Sequence, residues 1–129
     1  MKLLEFPSLL LPLYLHIAVA TACVEYSYTW DPNAAMYPVL TASLKDGGTQ
    51  VCSGDESTTD PFNTPYIFTC IDNDHKLDIR VSYGDAQASP PTYYTAEFNY
   101  TVGADSYQWK DVSTVQTMSK FSGSGTQLC

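Results

Sequence analysis

The sequence predicts an all-β fold, a compact antiparallel β-sandwich or small β-barrel of about six to eight strands stapled by two disulfides. Three observations predict it. Apolar and polar residues alternate with a period of two along most of the chain. Turn-forming residues interrupt that alternation at short intervals. Four cysteines stand in 129 residues, behind an apolar leader. A chain of this length suits one domain and is short for two.

The leader comes first. Leu9 to Ala20 is almost wholly apolar, broken only by Pro12 and His16. That run is too short and too interrupted for a membrane-spanning helix. Ala20-Thr21-Ala22 has small residues at both positions that a signal peptidase reads. Residues 1–22 are therefore expected to be a secretory signal peptide, and residues 23–129 a single secreted β-rich domain. Losing Lys2 and Glu5 leaves the net charge at the −8 of the whole chain. A lipoprotein signal would also place Cys23 first. It usually wants Leu where Ala20 stands, and it would leave one thiol unpaired.

Val24, Tyr26, Tyr28 and Trp30 alternate with Glu25, Ser27 and Thr29, which reads as the first half-buried strand. Leu40, Ala42 and Leu44 mark the second. Asp46-Gly47-Gly48 then predicts a hairpin into Thr49–Cys52. Ser53 to Pro65 is polar and acidic, with two prolines, and reads as a surface loop. Tyr66 to Ile71 is apolar on both faces apart from Thr69, as in a central strand. Asp72-Asn73-Asp74-His75 predicts a short turn into the Leu77, Ile79, Val81, Tyr83 strand. Gly84 to Pro91 is a longer connection. Tyr94, Ala96, Phe98, Tyr100 and Val102 should face the core, with Thr95, Glu97, Asn99 and Thr101 facing solvent. Gly103-Ala104-Asp105 leads into a short Tyr107/Trp109 strand. Asp111 to Phe121 has room for a helical turn through Val115 and Met118, and Ser122 to Gln127 reads as a flexible arm.

The cysteines are Cys23, Cys52, Cys70 and Cys129, and three pairings are open. Cys23–Cys129 with Cys52–Cys70 is favoured because it ties the two ends of the domain together. The chain-entropy estimate is about 4–5 kcal/mol for that long loop and about 3 kcal/mol for the short one. No pair has the C-x-x-C spacing of a zinc site. No metal or other cofactor is expected.

With 14 acids against 6 bases, a nucleic-acid groove is not expected, because phosphate binding needs clustered Lys and Arg. An anionic membrane surface is equally unsuited to the mature domain. His75 is the sole imidazole beyond the leader and Arg80 the sole arginine. With a nearby acid they could serve a small hydrolase or ribonuclease-like enzyme; a solvated histidine in a polar turn is the plainer reading. Asp72-Asn73-Asp74 opens like a calcium loop, but Leu77 stands where the loop needs Gly and Tyr83 where it needs Glu. Exposed Tyr and Trp would suit stacking on sugars, whereas core tyrosines would not. Asn99-Tyr100-Thr101 is an N-glycosylation sequon, with Asn99 on the polar face of its strand. No catalytic residue is assigned.

The stretch Gly47-Gly48-Thr49, Val51-Cys52-Ser53, an acidic loop, Tyr66-Ile67-Phe68-Thr69-Cys70 and Leu77-Asp78-Ile79 resembles the small secreted fungal proteins of the Alternaria major allergen-like family. The likeness covers roughly residues 37 to 83. It implies a β-barrel scaffold with two disulfides, a fungal source and a place in fungus–plant interaction. Cys23 and Cys129 stand where that family has a second internal pair. The resemblance is one of scaffold and carries over no functional residue. Together these features lead to a secreted effector or interaction protein that binds a host or extracellular protein or glycan without catalysis. An enzyme would need His75 and Arg80 to converge on a carboxylate. A carbohydrate-binding module would need an exposed row of aromatics.

Overall fold

The computed structural model describes residues 23–85, 87–89, 91–113 and 119–128. Its strands are β1 (Val24–Asp31), β2 (Val39–Asp46), β3 (Thr49–Ser57), β4 (Tyr66–Cys70), β5 (His75–Tyr83), β6 (Tyr94–Val102), β7 (Asp105–Ser113) and β8 (Phe121–Gln127). Every pairing is antiparallel, in the order β7-β6-β5-β4-β3-β2-β1-β8. The chain runs as a meander from β1 to β7, and β8 then returns to the free edge of β1. The sheet curls into a nearly closed barrel with its seam between β7 and β8. Of the two expected architectures it is the barrel.

Side-chain alternation explains the wall. Val24, Tyr26, Tyr28 and Trp30 point inward from β1, and Tyr94, Ala96, Phe98 and Tyr100 from β6; all are buried. Thr95, Glu97, Asn99 and Thr101 lie on the outer face of β6, as the alternation predicts, although only Glu97 is exposed and Thr95, Asn99 and Thr101 are half-buried. Trp30, with 0% of its surface exposed, is the hub of the interior. Its ring centroid lies 4.9 Å from that of Tyr94 and 5.5 Å from that of Phe121. Its indole N–H donates to the Tyr66 hydroxyl at 3.1 Å. Small barrels of this strand number have an interior that side chains can fill, and here aromatics fill it.

β4 joins the two halves of the wall. Thr69 and Cys70 pair with Ser53 and Cys52 of β3, whereas Tyr66, Ile67 and Phe68 pair with Ile79, Asp78 and Leu77 of β5. The Cys52–Cys70 disulfide sits on this joint, with Cα atoms 4.0 Å apart. Ile71 N donates to Val51 O beside it, which makes Cys52 and Cys70 a non-hydrogen-bonded pair. Opposed Cα atoms come closest in such pairs, at about 4.5 Å. Cys23 is not a free thiol. Its expected partner Cys129 lies outside the described residues, as do the expected signal segment 1–22 and the expected helical turn at Val115 and Met118.

Several expectations change. Ser122–Gln127 is not a flexible arm: with Phe121 it forms β8, in full register with β1. Gly123 and Gly125 stand opposite Tyr28 and Tyr26, whose rings lie over the β8 backbone. A Cβ at Gly123 would fall 2.8 Å from the Tyr28 hydroxyl, and one at Gly125 2.9 Å from that of Tyr26. These glycines therefore permit a close approach, where their composition suggested a linker. The expected loop from Ser53 begins later, because β3 continues to Ser57 along β2. The short Tyr107/Trp109 strand is instead nine residues long and includes Asp111 to Ser113. The Asp46-Gly47-Gly48 hairpin forms as expected, with φ of 62° and 85° at the two glycines, a region that penalises any residue with a Cβ.

Gly123→Ala should destabilise the domain by about 1–3 kcal/mol in urea denaturation, as over-packing does. Ser124→Ala, facing outward one residue on, should stay within about 0.5 kcal/mol of the parent. Phe98→Ala should cost about 3–5 kcal/mol. Equal losses for Gly123→Ala and Ser124→Ala would contradict the inward placement of the β8 glycines.

Candidate functional site

Strand direction sorts the connections into two ends. The β2–β3, β4–β5 and β6–β7 turns are tight and lie at one end. The segments 32–38 and 58–65 and the described parts of the β5–β6 connection, 84–85, 87–89 and 91–93, leave the other end, where β7 also stops and β8 begins. In a barrel, long loops on a rigid wall are the usual carriers of binding residues. This loop end displays apolar groups: Met36 is 86% exposed and Tyr83 65% exposed, and Tyr37 is also exposed. Tyr83 stacks on Phe62, with ring centroids 4.3 Å apart. Phe62 in turn touches Trp30 and Tyr94, so the displayed ring rests on the core. Arg80 steadies the same loop by donating from Nη1 to Asn63 O at 3.2 Å.

His75 and Arg80 are not brought together. His75 opens β5 at the tight-turn end, on the inward side of the alternation, where its Nδ1 lies 2.7 Å from Asp72 Oδ1. That hydrogen bond holds the Asp72 carboxyl below the usual carboxylate range. Asp72 Oδ1 also accepts from the backbone N–H groups of Asp74 and His75, so its role is to cap the turn. Arg80 lies on the outer face of the same strand toward the opposite end. Five residues of strand span about 16 Å, and the two side chains leave opposite faces of the wall.

The tyrosines are largely structural. Tyr26, Tyr28, Tyr66, Tyr94 and Tyr100 are buried, and the exposed large hydrophobic residues among the described ones include only two aromatics, Tyr37 and Tyr83. Three tyrosine hydroxyls meet carboxylates. Tyr26 donates to Asp111 Oδ1 at 2.8 Å across the seam, and Tyr28 lies beside the same carboxylate. Tyr100 donates to Asp46 Oδ2 at 2.6 Å and pins the β2–β3 turn. Burial, reinforced by Asp111, pushes the Tyr26 hydroxyl up to about 12. Burial and the neighbouring carboxylate raise Tyr28 and Tyr100 further in the same direction.

Asn99 occupies the middle of a polar depression of about 420 Å³ on the outer face of β5, β6 and β7. Its Nδ2 donates to Asp78 Oδ1 at 3.4 Å. Its Oδ1 is buried without a hydrogen-bond partner in the protein, as is Nε1 of Trp109, which packs on Tyr26 and Phe98 at the seam. Burial raises the Asp78 carboxyl above the usual range. Residue types alone do not reveal this depression. It depends on the register that sets Asp78 opposite Asn99, and Asn99 opposite Gln108.

No group of three or more potential metal-ligating side chains gathers among the described residues. No family model, curated protein or solved structure matches the chain.

The buried phenols set an alkaline limit. The pKa values of Tyr26, Tyr28, Tyr66 and Tyr100 are raised on folding, so their contribution to stability is complete below pH 10, where unfolded tyrosine ionises. It is lost as the pH rises through the folded value of about 12. The urea midpoint should therefore fall across that window, with phenolate absorbance of the buried rings appearing together with unfolding. Ionisation of Tyr26, Tyr28 and Tyr100 near pH 10 in a still-folded protein would contradict the burial and the carboxylate contacts.

Proposed function

We propose that this chain is a secreted effector or interaction protein of fungal origin. It engages a host or extracellular protein through its loop end, and no reaction takes place at His75 or Arg80. The observation that carries the reading is the display of Tyr83, stacked on Phe62, beside loops that also expose Met36 and Tyr37. Exposed aromatics seated on a rigid support lose little entropy on binding and are common anchors of interfaces. The net charge of −8 selects a partner with a basic surface. A disulfide-stapled barrel is compatible with an extracellular location. The leader and the resemblance of residues 37 to 83 support the same reading.

The second bridge, Cys23–Cys129, belongs to this proposal. Val24 lies opposite Gln127, so the ladder carries Cys23 to the level of Leu128, one residue before Cys129. Peptide mapping of the secreted protein should recover Cys23 joined to Cys129 and Cys52 joined to Cys70. A Cys23–Cys52 peptide would overturn the pairing.

Capture from host extract should yield a basic protein whose binding weakens as salt rises. Tyr83→Asp should reduce that capture by more than about tenfold, the effect of losing a hot-spot anchor. Ile67→Asp, on the wall, and His75→Ala, in the tight turn, should leave it unchanged. If His75→Ala abolished activity in a folded protein while Tyr83→Asp did not, the function would lie in chemistry and not in the loop end.

A further inference from the structure

The depression around Asn99 lies on the barrel wall, apart from the loop end. Two cross-strand rungs build it. Asp78, Asn99 and Gln108 form one rung and Arg80, Glu97 and Lys110 the other. Phe98 and Trp109, between the rungs, alternate inward, so the floor they provide is backbone. The two acids and two bases cancel, in a protein that is otherwise strongly acidic. Among the described residues no ion pair joins them; Arg80 spends one donor, Nη1, on Asn63 O and keeps its other N–H groups, and no carboxylate lies within bridging distance of Lys110. Asn99 Oδ1 is buried and unpartnered at the centre. A buried acceptor without a partner is costly, and a donor placed there would recover that cost. The first rung continues across β4 to Ile67, which stands opposite Asp78 and is 70% exposed.

We propose that this groove binds a neutral pyranose of a glycan. Balanced charge disfavours both a simple anion and a simple cation. The groove offers acceptors at Asp78, Glu97 and Asn99 Oδ1, and donors at Gln108, Arg80 and Lys110. Hydroxyl groups both donate and accept, so adjacent sugar hydroxyls satisfy such a mixture. One hydroxyl donates to Asn99 Oδ1, its neighbour donates to Asp78, and Gln108 donates to a sugar oxygen. The apolar C–H face of the ring lies toward Ile67. The sugar has two sources, the first residue of a glycan carried on Asn99 itself or an external oligosaccharide.

The test uses the mature protein in two forms. In the first arm, protein secreted from a yeast host is examined for a glycan on Asn99, and its amide spectrum is compared with that of unglycosylated protein from a bacterial periplasm. In the second arm, the unglycosylated protein is titrated with laminarihexaose, chitohexaose and cellohexaose while its amide resonances are followed. An Asn99-linked sugar that shifts the amides of Asp78, Arg80, Gln108 and Lys110 assigns the groove to the protein's own glycan. Saturable shifts of the same amides on titration assign it to an external one. Asp78→Ala should then weaken binding by at least about tenfold, in line with loss of a hydrogen bond to a charged group. Gln108→Ala, at an exposed edge position that folding does not need, should weaken it less. Ser43→Ala on the far wall should have no effect. If neither an Asn99-linked sugar nor any of the three oligosaccharides shifts these amides, the proposal is overturned. It is equally overturned if the shifts map to the loop end; an absence of any shift leaves the protein-binding role proposed for Tyr83 untouched.

Discussion

The barrel closes through side chains at the one place where its backbone ladder stops. β7 and β8 are the two ends of the strand order, so the seam between them has no ladder of its own. Tyr26 and Tyr28 reach from β1 across the glycines of β8 to Asp111 on β7. An open sheet edge is a template for unwanted pairing. Here two phenols and a carboxylate cover that gap, and Trp109 packs against Tyr26 from the β7 side. The glycines of β8, the burial of the β1 tyrosines and the position of Asp111 are therefore a single constraint. A larger residue on β8 would push the rings away from the carboxylate they meet.

The same closure separates scaffold from function. Trp30, Tyr94, Phe98 and Phe121 pack together in the interior, where some barrels of this strand number hold a ligand. The two proposed contact surfaces lie outside, on the loops at one end and on the outer rungs of the wall. Tyr83 connects the loop end to the core, because the ring it stacks on, Phe62, also touches Trp30. The outer groove is tied to the core differently. Its central strand, β6, contributes Phe98 to the interior and Asn99 to the surface, so the packing that fixes one fixes the other.

Much of the wall was legible from residue order alone. Period-two alternation assigned the inward faces of β1, β2, β5 and β6, and Asp46-Gly47-Gly48 located a two-residue hairpin, because these features depend on near neighbours in the chain. β8 was not legible. Its Ser-Gly composition carries no apolar alternation, and its stability comes from the ladder with β1, a partner about a hundred residues away in sequence. The late extension of β3 to Ser57 has the same origin: Gly54, Asp55 and Glu56 are poor strand formers held in place by β2. The candidate sites divide likewise. His75 and Arg80 stood out as rare residue types, yet strand geometry sends them to opposite faces. Asp78, Asn99 and Gln108 are unremarkable in order and become neighbours only through register.

The sequence by itself determined an all-β chain, the inward set of aromatic and branched residues, the tight turns and a four-cysteine framework compatible with three pairings. These follow from local stereochemistry and from the segregation of apolar from polar side chains. Only the tertiary structure decided that the sheet curls into a barrel, that Cys52 meets Cys70, that glycines make room for tyrosines at the seam, and that an orphaned amide oxygen sits among charge-balanced rungs. Each of these depends on which strands lie side by side and in what register. That choice is made by packing and hydrogen bonding between distant segments, and no short window of residues encodes it.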